Sequence, residues 1–391
     1  MLKKNKLRKS ILFLNLKIIF VILYSTAIFG NEVNEKHEKA LPQPNLENYT
    51  IKTKSGKRYQ WLDTTKVLIA GDTMFNWMVR EKIQNKGIFV PFEEWFPIFD
   101  SADLRFLNLE TPILSKEVVG AKEKSFVFFA EKEDILLLKQ LKINGVFLGN
   151  NHTMDFEVEG LKNTVELLDK NSIQSFGAGL DETKAYEPKS FSSKDTNIQF
   201  YSVSELGHKE HFAKGSNPGI AYFYESKLQG LIRKNKSKAI EQNTILSIHW
   251  GWEYNPEPTL GQRKSAKKMI DAGFDLLVGH HPHVPQGIEI YKGKPIIYSL
   301  GNFIFGSKNS YLNHNIVVIL HYKLNKLVVI ELVPAYGKFQ QSDYDYHPLD
   351  PNPSDDFLLE YAVLCKKLGT EIVVRGGRGY VFLDKTMMSS E

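Results

Sequence analysis

Five apolar, β-rich runs each stop at residues able to bind a metal, and that repetition restricts the chain to folds that gather strand ends. Lys66-Val67-Leu68-Ile69-Ala70 leads into Gly71-Asp72, and Leu104 to Leu107 leads into Asn108-Leu109-Glu110. Gly145-Val146-Phe147-Leu148-Gly149 leads into Asn150-Asn151-His152, with Asp155 just beyond. Thr244-Ile245-Leu246-Ser247-Ile248 leads into His249-Trp250-Gly251, then Glu253 and Tyr254. Phe274-Asp275-Leu276-Leu277-Val278 ends at Gly279-His280-His281-Pro282-His283, a cluster of histidines in a chain that has only 11. Short apolar runs of this kind read as buried strands. In open α/β sheets, ligands gather beyond the carboxyl ends of the strands, so these ends are expected to share one crevice. Converging imidazoles and carboxylates suit a divalent metal. Taken alone, the histidine cluster also reads as core or surface histidines beside a proline turn; four more strand ends of the same type weigh against that.

Between the strands, helical spacing recurs. Glu131 to Leu141 places Ile135, Leu137, Leu138 and Leu141 on one face, and Glu157 to Lys170 does the same with Val158, Leu161, Val165 and Leu168. Arg263 to Ala272 is a third helix, closed by Gly273. Strand–helix alternation predicts α/β layers. After Asn302, the runs Asn315 to Tyr322 and Lys326 to Val333 predict an antiparallel hairpin joined at Lys323-Leu324-Asn325. Gln340 to Asp356, rich in Asp, Pro, Ser and Tyr, reads as an exposed loop. A short helix, Phe357 to Leu368, and a strand near Glu371 to Val374 follow.

At 391 residues with 42% hydrophobic content, the chain can bury a substantial core. The formal charge of +5 owes much to Lys3, Lys4, Lys6, Arg8 and Lys9, which leaves a nearly neutral body and no case for nucleic-acid binding. Those basic residues precede the apolar stretch Ile18 to Tyr24 and the small residues Ser25-Thr26-Ala27. That order predicts a secretory signal peptide cleaved after Ala27, with an uncleaved anchor over Ile11 to Phe29 as the alternative. Without a cysteine after the apolar stretch, a lipoprotein is not expected; the single Cys365 cannot form an internal disulfide. The expected organisation is a signal or anchor over 1–30, a linker over 31–63, one large domain over 64–338, and a C-terminal extension over 339–391 packed on it.

Gly71-Asp72, Asn108-Leu109-Glu110, Asn150-Asn151-His152 with Asp155 and Gly160, His249-Trp250-Gly251 with Glu253-Tyr254, Gly279 to Val284, and Ser299-Leu300-Gly301-Asn302-Phe303 occur in that order. In identity and order this set resembles the CapA family, linked to poly-gamma-glutamate capsule synthesis and related to the calcineurin-like metallophosphoesterases. The resemblance covers roughly residues 64 to 306. It implies a four-layer α/β/β/α sandwich with mixed sheets, and Asp72, Glu110, Asn151, His152, His249, His281 and His283 as the matching metal-site positions. Two positions depart from the wider superfamily: Met74 stands where a histidine is usual, and Glu110 where an aspartate is common.

In a two-metal site of this type the ions lie roughly 3.5–4 Å apart, bridged by a carboxylate. Glu110 is the expected bridge, with Asp72 on one ion, Asn151 on the other, and His249, His281 and His283 completing the set. Side chains alternate along a strand, so 281 and 283 are expected to share a face with 280 pointing away. Imidazoles with carboxylates suit one or two ions of Mn, Zn or Fe better than Ca. His152 is either a ligand or a general acid oriented by Asp155 (or Glu157), and Asp155 is either that partner or a cap for the following helix. Asn108, Glu253 and Tyr254 are the expected substrate-binding residues; Trp250 and Trp252 either line a groove or pack. The resulting expectation is an exported protein, periplasmic or extracellular and either free or membrane-anchored. It would serve poly-gamma-glutamate or another anionic surface polymer within a membrane synthesis complex. A generic secreted metallophosphoesterase and a non-catalytic metal-bound scaffold are the alternatives.

Overall fold

The computed structural model describes residues 64–115, 125–236, 241–306, 314–337 and 346–383, with a short backbone pairing between Ile51–Lys52 and Arg58–Tyr59. The expected signal or anchor over 1–30 and most of the linker lie outside the described residues. Among the described residues, no helix is long and apolar enough to cross a membrane.

Strand β1 (Thr65–Thr73) is followed by helices α1 (Trp77–Lys86) and α2 (Phe96–Asp100), then β2 (Leu104–Leu109). Helix α3 (Ile135–Gln140), β3 (Gly145–Phe147), α4 (Glu157–Lys170) and β4 (Gln174–Phe176) continue the alternation. After α5 (Glu182–Ala185), the chain builds β5 (Lys189–Ser193) and β6 (Thr196–Ser204), then α6 (Glu225–Lys236) and β7 (Asn243–His249). Next come α7 (Leu260–Ala272), β8 (Leu276–His280), β9 (Pro285–Tyr291) and β10 (Lys294–Leu300). The last part holds β11 (Asn302–Ile304), β12 (His314–Lys323), β13 (Lys326–Gly337), β14 (Tyr346–Pro348), α8 (Pro351–Lys367), β15 (Val373–Arg375) and β16 (Arg378–Phe382).

These strands form two large sheets. The first runs β15-β16-β13-β12-β1-β2-β3-β4, with β11 on β1 and β14 on β13; the second runs β5-β6-β7-β8-β10-β9. Both are mixed. In the first, β1 to β4 are parallel neighbours, while β12 pairs antiparallel with both β1 and β13. In the second, β6, β7, β8 and β10 are parallel, with antiparallel strands at both edges.

Three buried clusters define the layers. Leu68, Ala70, Leu107 and Val146 face Val79 of α1, Phe99 of α2, Leu138 of α3 and Leu161 of α4. Alternate residues of the same strands, Val67, Ile69 and Phe106, meet Phe200, Ile245 and Val278 of the second sheet. That sheet's other face, with Leu246, Ile248 and Leu277, packs on Leu228 of α6 and Met269 of α7. The order is therefore helix, sheet, sheet, helix, as expected, and sheets apolar on both faces require that covering. Leu358, Tyr361 and Cys365 of α8 join the core between the sheets.

Some element boundaries differ from the sequence expectations; the helix expected from Glu131 begins at Ile135. Helix α7 begins at Leu260 and not Arg263, because Thr259 accepts the Gln262 N–H and the Gln262 side chain accepts the Thr259 N–H; this reciprocal cap is a recognisable T-x-x-Q signal. Part of the stretch expected as an exposed loop is ordered structure. Tyr346–Pro348 pairs with β13, and α8 starts at Pro351, since a proline in the first turn gives up an N–H that has no intrahelical partner anyway.

Candidate metal centre

The carboxyl ends of both sheets meet at one place. In the first sheet, Asp72 is opposite Asn108 on one side and Asn302 on the other, and Asn108 is opposite Phe147. In the second, His249 is opposite His280. Close backbone approach brings the ends together and explains two glycines. A Cβ on Gly71 would lie 2.0 Å from the Gly301 carbonyl oxygen, and one on Gly279 would lie 1.9 Å from that of Tyr298. Neither position has room for any side chain.

Asp72 is fully buried and is the hub of the first half. Its Oδ1 accepts a hydrogen bond from Asn108 Nδ2 at 2.8 Å, and its Oδ2 accepts the His281 N–H at 3.1 Å. His280 Nδ1 lies 3.4 Å from Oδ1, and His283 Nδ1 lies 3.4 Å from Oδ2. Burial opposes ionisation of Asp72, but the bonds and charges of His280 and His283 outweigh it and hold the carboxyl well below its usual range.

Glu110 is the opposite case. It is fully buried, and neither carboxylate oxygen makes a hydrogen bond. Burial raises its pKa well above the ordinary carboxyl value, and the nearby charges of Asp72, Glu253 and Asp155 raise it further. An acidic group buried in this way requires a cation or a proton. Among the described residues, two groups of side chains offer ligand atoms within 4.8 Å of one another, Asp72-Glu110-His249 and Glu110-His281-His283, and Glu110 is common to both. His249 Nε2 lies 3.5 Å from Glu110 Oε1 and 3.2 Å from His281 Nδ1. Burial and neighbouring imidazoles keep both rings uncharged: His249 is shifted well below the usual value, and His281 is pushed down to about 3. Neutral imidazole is the form that ligates a metal. His283 goes the other way. Burial opposes its charged form, but Asp72 and Asn302 outweigh that and raise it.

The donor set therefore suits a divalent ion, with carboxylates and neutral imidazoles around an unsatisfied acid. The backbone supports this reading. His281 and His283 have φ values of 96° and 57°, a left-handed conformation that costs roughly 1–3 kcal/mol per residue and collects at functional sites. Strand β8 ends at His280, so 281 and 283 reach the cluster through a turn and not by strand alternation. His280 does not point away from the carboxylates, as alternation suggested; it contacts Asp72 and lies 5.6 Å from the Phe147 ring centre.

His152 stands at the edge of this group. Its Nδ1 pairs with Asp155 Oδ2 at 2.7 Å, which also accepts the Phe128 N–H at 2.8 Å. Its Nε2 is 4.0 Å from Glu110 Oε1. Asn151 occupies the turn between His152 and Asn150, and Asn150 donates to Asn108 Oδ1 and to the Leu109 carbonyl. Asn108, expected to bind substrate, is buried and holds Asp72, with His249 Nδ1 3.4 Å from its Nδ2. Glu253 and Tyr254 lie on the exposed loop after β7; the Tyr254 ring centre is 6.1 Å from that of His283. Trp250 packs in the core with Nε1 donating to the Tyr298 carbonyl, while Trp252 is 71% exposed. Trp252 borders an open groove of about 1060 Å³ against α7 and α8 that contains none of the histidines.

Sequence reasoning gave Asn302 no role, yet His283 Nδ1 lies 2.8 Å from Asn302 Oδ1. That contact fixes the orientation of the ring, the usual work of a group behind a metal-ligating histidine. Its signal was its place in Gly301-Asn302-Phe303, directly after a strand.

The family described as bacterial capsule synthesis protein PGA_cap matches residues 66–307. The PGA biosynthesis protein CapA of Bacillus subtilis is 28% identical over 367 residues, covering 94% of this chain and 88% of that protein. The capsule biosynthesis protein CapA of Bacillus anthracis is 29% identical over 275 residues, covering 68% of this chain and 66% of that protein. Among solved structures, a phosphatase from Mycoplasma pneumoniae aligns with a TM-score of 0.44 at 18% identity, over 69% of this chain and 93% of that one. That likeness is too distant to bear on chemistry.

Proposed function

Since the chain belongs to the bacterial capsule synthesis protein PGA_cap family, we propose that it serves the synthesis or export of an anionic cell-surface polymer, poly-gamma-glutamate in the first instance, through a metal-dependent hydrolase site. One observation carries the hydrolase part: Glu110, buried and without a hydrogen bond, is shared by two sets of ligand atoms. Asp72 and His249 would hold one ion, His281 and His283 the other, with Asn151 adding a neutral oxygen. The donors suit Mn, Zn or Fe. Such a metal supplies Lewis acidity to a phosphoryl or acyl oxygen and lowers the pKa of a water in the site.

The protein's own groups do the rest. Asp155 holds His152 by Nδ1, so Nε2 points towards Glu110 and is the atom that gives a proton to a leaving group. Asp155 also stabilises the charged imidazole before that transfer. Asn302 keeps His283 turned to the cluster, and Asn108 keeps Asp72 in place. Glu253 and Tyr254, on the open side, are positioned to meet substrate.

Full-length protein loaded with Mn or Zn should hydrolyse a phosphomonoester or phosphodiester, and a chelator should abolish turnover. Stoichiometric metal with no hydrolysis of any phosphate or amide substrate would replace this reading with that of a metal-bound scaffold. The expected site of action is outside the cytoplasm, because Lys3 to Lys9 precede the apolar run Ile18 to Tyr24. Fractionation of cells expressing the full chain should find it exported, cleaved after Ala27 or held at the membrane. Recovery wholly in the cytoplasm would overturn that part.

A further inference from the structure

A wall of aromatic rings adjoins the proposed general acid. Phe128 stacks on the His152 ring at 4.0 Å between centres and 27° between planes. Phe305 lies 4.6 Å from His283 and 5.7 Å from Phe128. Trp77 completes the group, 5.0 Å from Phe128, 6.5 Å from Phe305 and 5.7 Å from Phe126. The inner rings are shielded, but Trp77 is 43% exposed and Phe126 59% exposed. The wall therefore runs from the histidines out to solvent.

Its position is built in. The N–H of Phe128 is held by Asp155, the carboxylate that also holds His152, and the N–H of Phe129 by Asn76 Oδ1 at 2.6 Å. Asn76 directly precedes Trp77, whose backbone is left-handed at φ 52°. So two side chains tie the aromatic segment to the general acid and to the start of α1. A non-glycine residue kept in this conformation, with a half-exposed indole, points to a use beyond packing.

We infer that Trp77 and Phe126, backed by the buried Phe128, form the leaving-group subsite, and that it takes a flat unsaturated ring such as an aryl group or nucleobase. This rests on the proposed function, in which His152 protonates the leaving group. A group bonded to an oxygen within reach of His152 Nε2 has Phe128 beside it and Trp77 beyond. Rings stack on such platforms with substantial and sequence-tolerant affinity. A chain of carboxylates, by contrast, meets the negative faces of these rings. Trp77 and Phe126 are therefore specificity-determining residues, and the substrate is an ester of a ring-bearing alcohol and not the anionic polymer itself.

Binding of methylphosphonate, phenylphosphonate and a nucleoside phosphonate to the full-length, metal-loaded protein separates the possibilities without requiring turnover. Phenylphosphonate should bind about tenfold or more tightly than methylphosphonate. Trp77→Ala and, separately, Phe126→Ala should bring that ratio towards one, while Trp77→Phe should keep most of it. Phe126 is exposed, so its variant serves if Trp77→Ala fails to fold. A further gain for the nucleoside phosphonate would identify a nucleobase, and no gain would identify ring stacking in general. Equal affinity of the two simpler phosphonates for the wild type, or a ratio unmoved by both alanine variants, would overturn the ring subsite alone. Failure of all three to bind would overturn the phosphoester-hydrolase reading of the metal site and the subsite with it.

Discussion

Replacing His152 with alanine is expected to leave bound metal in place and to slow turnover by about 10²–10⁴-fold, the usual loss of a general acid. The geometry favours that outcome over metal loss. His152 Nδ1 is engaged by Asp155 at 2.7 Å, and Nε2 is 4.0 Å from the closest Glu110 oxygen. Neither candidate ligand group includes it, whereas both include Glu110. The loss should shrink for nitrophenyl esters, because a good leaving group departs without a proton. Asp155→Asn should follow the same pattern more weakly, since the amide still touches Nδ1 but cannot balance an imidazolium. Metal analysis of the purified variant decides the matter. Loss of metal would make His152 a ligand, and unchanged turnover would remove it from the chemistry.

Much of the layered fold was legible because its inner strands are buried on both faces. Such strands read as continuous apolar runs, and β1, β2, β7 and β8 each lie within about three residues of the run that announced them. The helix Glu157–Lys170 was legible for a related reason: one apolar face repeats at helical spacing along its whole length. Residues at strand ends followed from the strands, so Asp72, Glu110, His249, His281 and His283 could be grouped before any distance was known.

What escaped depends on contacts distant in sequence. His280 was set aside by strand alternation, but alternation stops where the strand stops, and the positive φ values of His281 and His283 re-aim the turn. Asn302 looks like any turn asparagine; only the crossing from β10 in the second sheet to β11 on the first brings it to His283. The aromatic wall joins residues 77, 128 and 305, whose spacing carries no period at all. Pro351 and Pro353 suggested a loop, because proline composition does not distinguish a helix's first turn from irregular chain.

The central claim is that Glu110 is a buried carboxylate whose charge is balanced by metal, and Glu110→Gln tests it most directly. Glutamine keeps the shape and removes the charge. In the metal-free protein, burial and the charges of Asp72, Glu253 and Asp155 raise the Glu110 pKa. A carboxyl raised in the folded state holds its proton there longer than in the unfolded chain. Its contribution to stability therefore falls as pH rises above the ordinary carboxyl value. At pH 7, metal-free Glu110→Gln should accordingly unfold at a higher temperature than metal-free wild type. Metal reverses the order. Wild type should gain about 2.7 kcal/mol at a free metal concentration one hundred times Kd, and the variant should gain far less because both ligand groups lose their shared anionic carboxylate. The measurement is thermal unfolding of both proteins with chelator and with Mn or Zn, alongside metal content after dialysis. The account predicts a crossing: the variant more stable without metal, the wild type more stable with it, and little metal retained by the variant. Equal metal content and parallel stabilisation of the two proteins would contradict it.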